Sequence, residues 1–321
     1  MIRAVFVCAL LCGLSVGAST LDALYEALDA RGIPFDRSVV DEAAMSAALS
    51  TVDARAFVVS AEDGRVLATN VAVLVAEHWE QGIGYLGVPE LSPGIASNLV
   101  RQVSDWERQA GLGVILDLRG TGGDSLASVD YVAGLVADAG EPIYAIQDLK
   151  TRVLERHLAF DLDTVSCRVP LVVLVDAETH DAGEVLAAVL KGQGGVMLVG
   201  APTQGDAMVR SSVFIADGLS IVVAYGKVCL SNGDDYDGTG VQLDIPVALD
   251  APPPEIDTSS LNGGNGRPLT EKALQDRELM KRIEKDLVLR RATDILLGLK
   301  ALGAFNAAPD PVIEDVLPED K

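Results

Sequence analysis

Asp181 and Glu184 open an apolar stretch of helical character, Thr179 and His180 stand just before them, and Asp206 follows a Gly205 turn downstream. These residue types can act as nucleophile, general acid or general base, or hold a hard cation through carboxylate oxygens. A carboxylate at a helix start also satisfies unpaired amides, so capping is the plainer reading of Asp181. Thr179, Ser211 and Ser212 are the nearest hydroxyls. A Thr179–His180 pair invites comparison with a rearranged triad, but neighbours in sequence seldom point at one another. Upstream, Gly122 and Gly123 close an apolar run, and two glycines there let the backbone turn tightly and aim amide hydrogens into a cleft, as an oxyanion hole requires. Asp234-Asp235-Tyr236-Asp237-Gly238 looks like a calcium loop but lacks the distal glutamate, and it reads as a polar hairpin turn.

The elements that must position these residues follow from periodicity. Leu21, Leu24, Tyr25 and Leu28 mark a small N-terminal helical cap, and Ala56–Ala68 alternates as a hairpin around Glu62-Asp63-Gly64. Gly84–Val88 is a short strand, and a helix from Ile95 to Gln109 follows it. Gly113–Leu118, Leu171–Val175 and Val196–Val199 are continuous apolar runs, the mark of strands buried on both faces. Helices over Ser125–Ala139 and about Ala182–Gly192 fall between them, at the spacing of parallel crossovers. A short strand at Ile143–Ile146 and a hairpin of Ser211–Ile215 with Leu219–Val228 complete the core. Pro252-Pro253-Pro254 starts a polar linker. Thr270 can then cap one long helix to about Leu302. The boundaries expected are a signal peptide at 1–18, cap and hairpin at 19–80, core at 81–250, linker at 251–269, C-terminal helix at 270–303 and a disordered acidic tail at 304–321.

Met1-Ile2-Arg3, the apolar Ala4–Leu14 and Ser15-Val16-Gly17-Ala18 together read as a secretory signal cut after Ala18, which would remove Cys8 and Cys12. The expected destination is periplasmic or extracellular, with no permanent membrane span. Asp and Glu outnumber Lys and Arg by 47 to 25, a net charge of -22 that repels phosphate backbones, so nucleic acid is excluded as a partner. Cys167 and Cys229 would remain. An exported chain allows them a disulfide, and their place in or beside strands equally suits buried thiols. Neither has a C-x-x-C or histidine neighbour, and with three histidines, His78, His157 and His180, a zinc cluster has no support.

Three blocks over residues 83–247 together resemble the C-terminal processing, or tail-specific, protease family. Gly113–Gly123, reading Gly-Val-Ile-Leu-Asp-Leu-Arg-Gly-Thr-Gly-Gly, is similar to its strand and glycine turn. Pro170–Val175 followed by Asp176–Val185 is similar to its strand and nucleophile turn. Leu198–Asp206, with Gly200, Thr203 and Gly205, is similar to its Gly-x-x-Thr-x-Gly-Lys turn. Gly238-Thr239-Gly240-Val241, with Asp244-Ile245-Pro246-Val247 behind it, resembles the closing strand.

Aligned on Glu184, the family's serine nucleophile falls on Asp181 and its lysine base on Asp206, at the family's separation. The resemblance implies an α/β fold with a ClpP/crotonase-like ββα core, an oxyanion-like backbone at Gly122, Gly123 and Ala182, and a supporting role for Glu184. It also implies that no confident catalytic residue remains, because neither acid can do the work of serine and lysine. The PDZ domain that the family commonly inserts is missing. Asp181, Glu184 and Asp206 would share one pocket, where three carboxylates stay ionised only beside a counter-charge, so a weak calcium site enters as an alternative to no cofactor. The leading expectation is a pseudo-protease that binds a polypeptide or protein partner in the former cleft. An active hydrolase with a rearranged or carboxylate-based site is the first alternative. A carrier of small apolar ligands is the second, with little support from a chain in which aromatics are 4% of residues. The C-terminal helix is the expected homodimer element.

Overall fold

The computed structural model describes residues 20–60, 73–109, 111–162, 167–216, 219–248 and 271–302. The expected signal sequence, the 251–269 linker, the acidic tail, Thr270 and the Glu62–Leu67 arm of the first hairpin lie outside these residues. The chain divides into two units, one of Met1–Thr69 with Arg210–Ala224 and one of Asn70–Val209 with Tyr225–Lys321. The stretch 210–224, read from sequence as part of the core, thus groups with the N-terminal segment.

The first unit holds helices α1 (Thr20–Asp29) and α2 (Arg37–Ser50). Asp36 caps α2, its Oδ1 accepting the Ser38 amide at 2.9 Å, and the apolar side of α1 buries Tyr25, whose ring stacks on Phe35 at 5.4 Å. Strand β1 (Phe57–Ser60) pairs antiparallel with the start of β10 (Leu219–Leu230), Phe57 opposite Val222. Its described partner is therefore a strand from far along the sequence, and the Val66-Leu67 arm that local alternation indicated lies outside the described residues. Strand β9 (Met208–Ala216) also pairs with β10. Asp53 accepts from Arg210 Nε at 3.0 Å and NH2 at 2.9 Å, a two-pronged bond that holds the carboxyl below its ordinary range.

The second unit is built on a six-stranded sheet. Its order is β11 (Ile245–Pro246), β8 (Val196–Gly200), β7 (Leu171–Val175), β4 (Gly113–Asp117), β3 (Ile83–Gly87) and β2 (Val75–His78). All pairings are parallel except β2 with β3. Every residue of β4 and β7 is buried because helices cover both faces, which is why these strands read as unbroken apolar runs. Val114, Leu116, Val173, Val175 and Leu198 face helices α3 (Pro93–Arg108), α4 (Leu126–Ala133) and α5 (Asp181–Lys191). Their neighbours Ile115, Val172, Leu174 and Val199 face Val288, Leu289, Ala292 and Leu296 on the opposite side. Gly113 permits that second approach, since a Cβ there would lie 2.6 Å from Leu296 Cδ2.

The C-terminal helix differs from expectation. It is two helices, α6 (Glu271–Lys285) and α7 (Leu287–Ala301), separated at Asp286. Asp286 leaves the helical conformation at φ -98° and ψ 98°, and its Oδ1 accepts the Val288 and Leu289 amides at 3.1 and 3.0 Å. A single aspartate thus ends one helix and caps the next. Strand β5 (Pro142–Asp148) pairs with the end of β10 and with β6 (Leu154–Leu158), an element with too little alternation to be read from sequence. Cys167 and Cys229 are both free thiols, and burial pushes the Cys167 thiol up to about 12.

Candidate functional site

The site forms where β7 ends and α5 begins. Asp176 Oδ1 accepts the amides of Gly120 and Glu178 at 3.0 and 3.1 Å, tying the 176–180 turn to the glycine turn after β4. Thr179 is wholly buried, its Oγ1 donating to Leu118 O at 2.8 Å and accepting the Asp176 amide at 3.1 Å. It is a structural bolt, and a Thr179–His180 nucleophile pair is thereby removed. The His180 amide donates to Thr121 O and the Ala182 amide to Gly123 O, both at 2.9 Å.

Asp181 lies between these two anchored residues with φ +47°, a left-handed conformation that aspartate tolerates better than most side chains. Its side chain is 51% exposed, with Oδ2 at 3.8 Å from His180 Nε2. His180 Nδ1 is 2.6 Å from Glu178 O, and a carbonyl can only accept, so the proton sits on Nδ1 and Nε2 carries the lone pair in the neutral ring. The imidazole lies over Gly122, where any Cβ would collide with it.

Glu184 is completely buried. Its Oε1 accepts from the Thr203 hydroxyl and from the Gly205 amide at 2.6 Å, and its Oε2 accepts the Asp206 amide at 2.9 Å. Thr203 Oγ1 in turn accepts the Val241 amide at 2.8 Å. The carboxylate thus clamps the 203–206 turn to α5 and, through Thr203, to the 238–241 turn. Asp206 is 9% exposed and its Oδ1 accepts the Met208 amide at 3.1 Å.

Tyr236, missed from sequence, belongs beside these acids. Burial, and then the charges of Glu184 and Asp206, push its phenol well above the ordinary value, and its hydroxyl has no hydrogen-bond partner among the described residues. The only sequence signal was an aromatic residue set in a run of aspartates, which a turn alone does not need. Neither neighbouring lysine can serve as a base. Lys191 is paired with Asp244, and Lys227 is held by Asp235 at 2.9 Å and Asp237 at 3.0 Å. Those bonds, that to Asp235 foremost, raise the Lys227 ammonium, whereas a general base needs it lowered.

Two expectations change. Asp181, Glu184 and Asp206 do not make a metal-holding set, since no group of three acids, histidines or cysteines suited to a metal occurs among the described residues. Glu184 turns both oxygens onto backbone and hydroxyl donors, and Asp181 turns to solvent. The oxyanion-like set is also closed at Ala182, because its amide is already bonded to Gly123 O. Ser211 and Ser212, on β9 in the first unit, are exposed.

Residues 82–247 match the model of the family described as Peptidase family S41. The chain is 24% identical over 178 residues to the C-terminal processing peptidase, chloroplastic, of Tetradesmus obliquus, over 56% of this chain and 38% of that protein. It is 26% identical over 179 residues to the carboxy-terminal processing protease CtpA of Bacillus subtilis, over 56% of this chain and 38% of that one. The match thus spans 38% of the length of these relatives. Among solved structures, a lipoprotein from Streptococcus agalactiae aligns with TM-score 0.54 at 15% identity, over 72% of this chain and 86% of that chain. A peptidase-like protein from Parabacteroides merdae aligns with TM-score 0.51 at 18% identity, over 74% and 69%. At these identities the likeness is one of fold.

Proposed function

This chain belongs to peptidase family S41, and from that premise we propose that it is an exported pseudo-protease, one that keeps the tail-specific fold, has lost peptide hydrolysis and holds a polypeptide or protein partner in the former cleft. The observation that carries the reading is the pair of replacements at the two family positions. A left-handed, half-exposed aspartate at 181 and an aspartate at 206 leave neither hydroxyl nor amine where the family's nucleophile and base stand. A carboxylate cannot be made into an alkoxide, and the Ala182 amide after it is engaged by Gly123 O of the glycine turn.

The direct test is turnover of casein and a fluorogenic peptide from about pH 3 to pH 8. No turnover is expected at any pH. A bell-shaped acid profile lost in Asp206→Asn would establish the carboxylate-based hydrolase in its place. Native mass spectrometry distinguishes the apolar-ligand carrier, which would hold a co-purified lipid. The pseudo-protease needs no cofactor, so calcium and chelator should leave the melting temperature unchanged. Export is read from the first 18 residues, and N-terminal sequencing of secreted material should begin at Ser19. A homodimer through the C-terminal helices would have to use their outward side, where Met280, Leu297 and Leu302 are exposed, and light scattering decides it.

A further inference from the structure

Within the second unit, α5 carries Asp181 at one end and Lys191 at the other, about 15 Å apart along the axis. At the Lys191 end lies a cavity of about 740 Å³, within the ~300–1,000 Å³ typical of ligand sites. Pro202, Leu230, Val241 and Leu243 give it apolar walls, and Asp234, Asp235 and Tyr236 line it as well. Three of the acids on or beside it are matched by lysines: Asp244 by Lys191, and Asp235 and Asp237 by Lys227. Asp234 is not matched. It accepts a hydrogen bond from Asn232 Nδ2 at 2.8 Å and forms no ion pair among the described residues. The backbone N–H and C=O groups of Gln242 and Leu243, which also line the cavity, have no backbone partner among the described residues.

We propose that this groove docks an extended polypeptide segment that sets a lysine or arginine between apolar residues. Unpaired backbone along Gln242-Leu243 offers main-chain hydrogen bonds, the mode by which an extended peptide adds to an edge, and alternate side chains then fall into the apolar walls. Asp234 supplies the charge that an incoming cation answers. A net charge of -22 favours approach of a cationic segment and disfavours an anionic one. The groove shares Tyr236 with the surroundings of Glu184 and Asp206, and protection over 230–243 without protection over 176–184 separates its occupancy from that of the former catalytic cleft.

The test uses the full chain and two labelled synthetic octapeptides of alternating residues, valine with lysine and valine with glutamate. Anisotropy should show binding of the lysine peptide alone. Asp234→Lys should weaken it about tenfold or more, whereas Asp294→Lys, the same charge change at an exposed position on α7, should cost about threefold at most. Hydrogen exchange should slow over 230–243 and be unchanged over 176–184. Equal loss in the two lysine variants would reduce the effect to net charge and overturn the proposal. Binding of the glutamate peptide, or protection over 176–184 in place of 230–243, would overturn it as well.

Discussion

Asp181 and Glu184 stand three residues apart on one helix, and their surroundings give them opposite roles. Asp181 projects into water from a strained turn, and Glu184 is a buried clamp with three donors on it. Truncating Glu184 to alanine strands the Gly205 and Asp206 amides and the Thr203 hydroxyl, at about 1–3 kcal/mol for each buried group left unpaired. Urea denaturation should therefore show Glu184→Ala destabilised by about 3 kcal/mol or more. Asp181→Ala should cost about 1–2 kcal/mol, since the exposed carboxylate loses little but alanine is less tolerant of the left-handed backbone than aspartate. The importance of Glu184 was legible as a family position, but its partners were not. Thr203, Gly205 and Asp206 reach it from a turn whose approach depends on the tertiary fold, and no local pattern encodes that.

Among the elements, the parallel strands were legible because burial on both faces leaves unbroken apolar runs, a signal that needs no context. The break between α6 and α7 was hidden, because apolar spacing continues through Asp286 and only the geometry reveals the cap. Asp286 also pairs with Arg119 at 2.8 Å, and Arg119 grips Asp117 with Nε at 2.8 Å and NH2 at 2.6 Å, so the helix break is fastened to the turn that leads to Gly122. Nearby, Arg282 bonds both oxygens of Glu77 at 2.8 and 2.7 Å and lies over the Trp79 and Tyr85 rings. Hydrogen bonding from Arg282 holds the Glu77 carboxyl below its ordinary range. A lowered folded-state pKa stabilises above the unfolded value, about 4.3, and that contribution disappears as pH falls through the folded one. Arg282→Met should thus be less stable than wild type by about 1 kcal/mol near pH 7, a modest figure because the pair is partly exposed. The gap should narrow as pH drops below about 4. A gap that widens in acid would show that the pair is not its source.

At the scale of the molecule, the second unit has two apolar layers on one sheet, and α7 with Ile283 supplies the helical part of one of them. Burying Ile283, Val288, Leu289 and Leu296 is worth roughly 6 kcal/mol or more, comparable with the whole stability of an ordinary domain. A chain ending at Ala251 should therefore lose its cooperative melting transition, and not merely change its oligomeric state. Composition and framing made the fold class readable, yet the grouping of 210–224 with the N-terminal segment was not, because β1 finds its partner across more than half the chain. The account stands on the loss of hydroxyl and amine at positions 181 and 206. Its most direct test compares wild type and Asp181→Ala on one fluorogenic peptide at matched concentration. The account predicts that both rates equal the buffer background. Hydrolysis by wild type that vanishes in Asp181→Ala would contradict it.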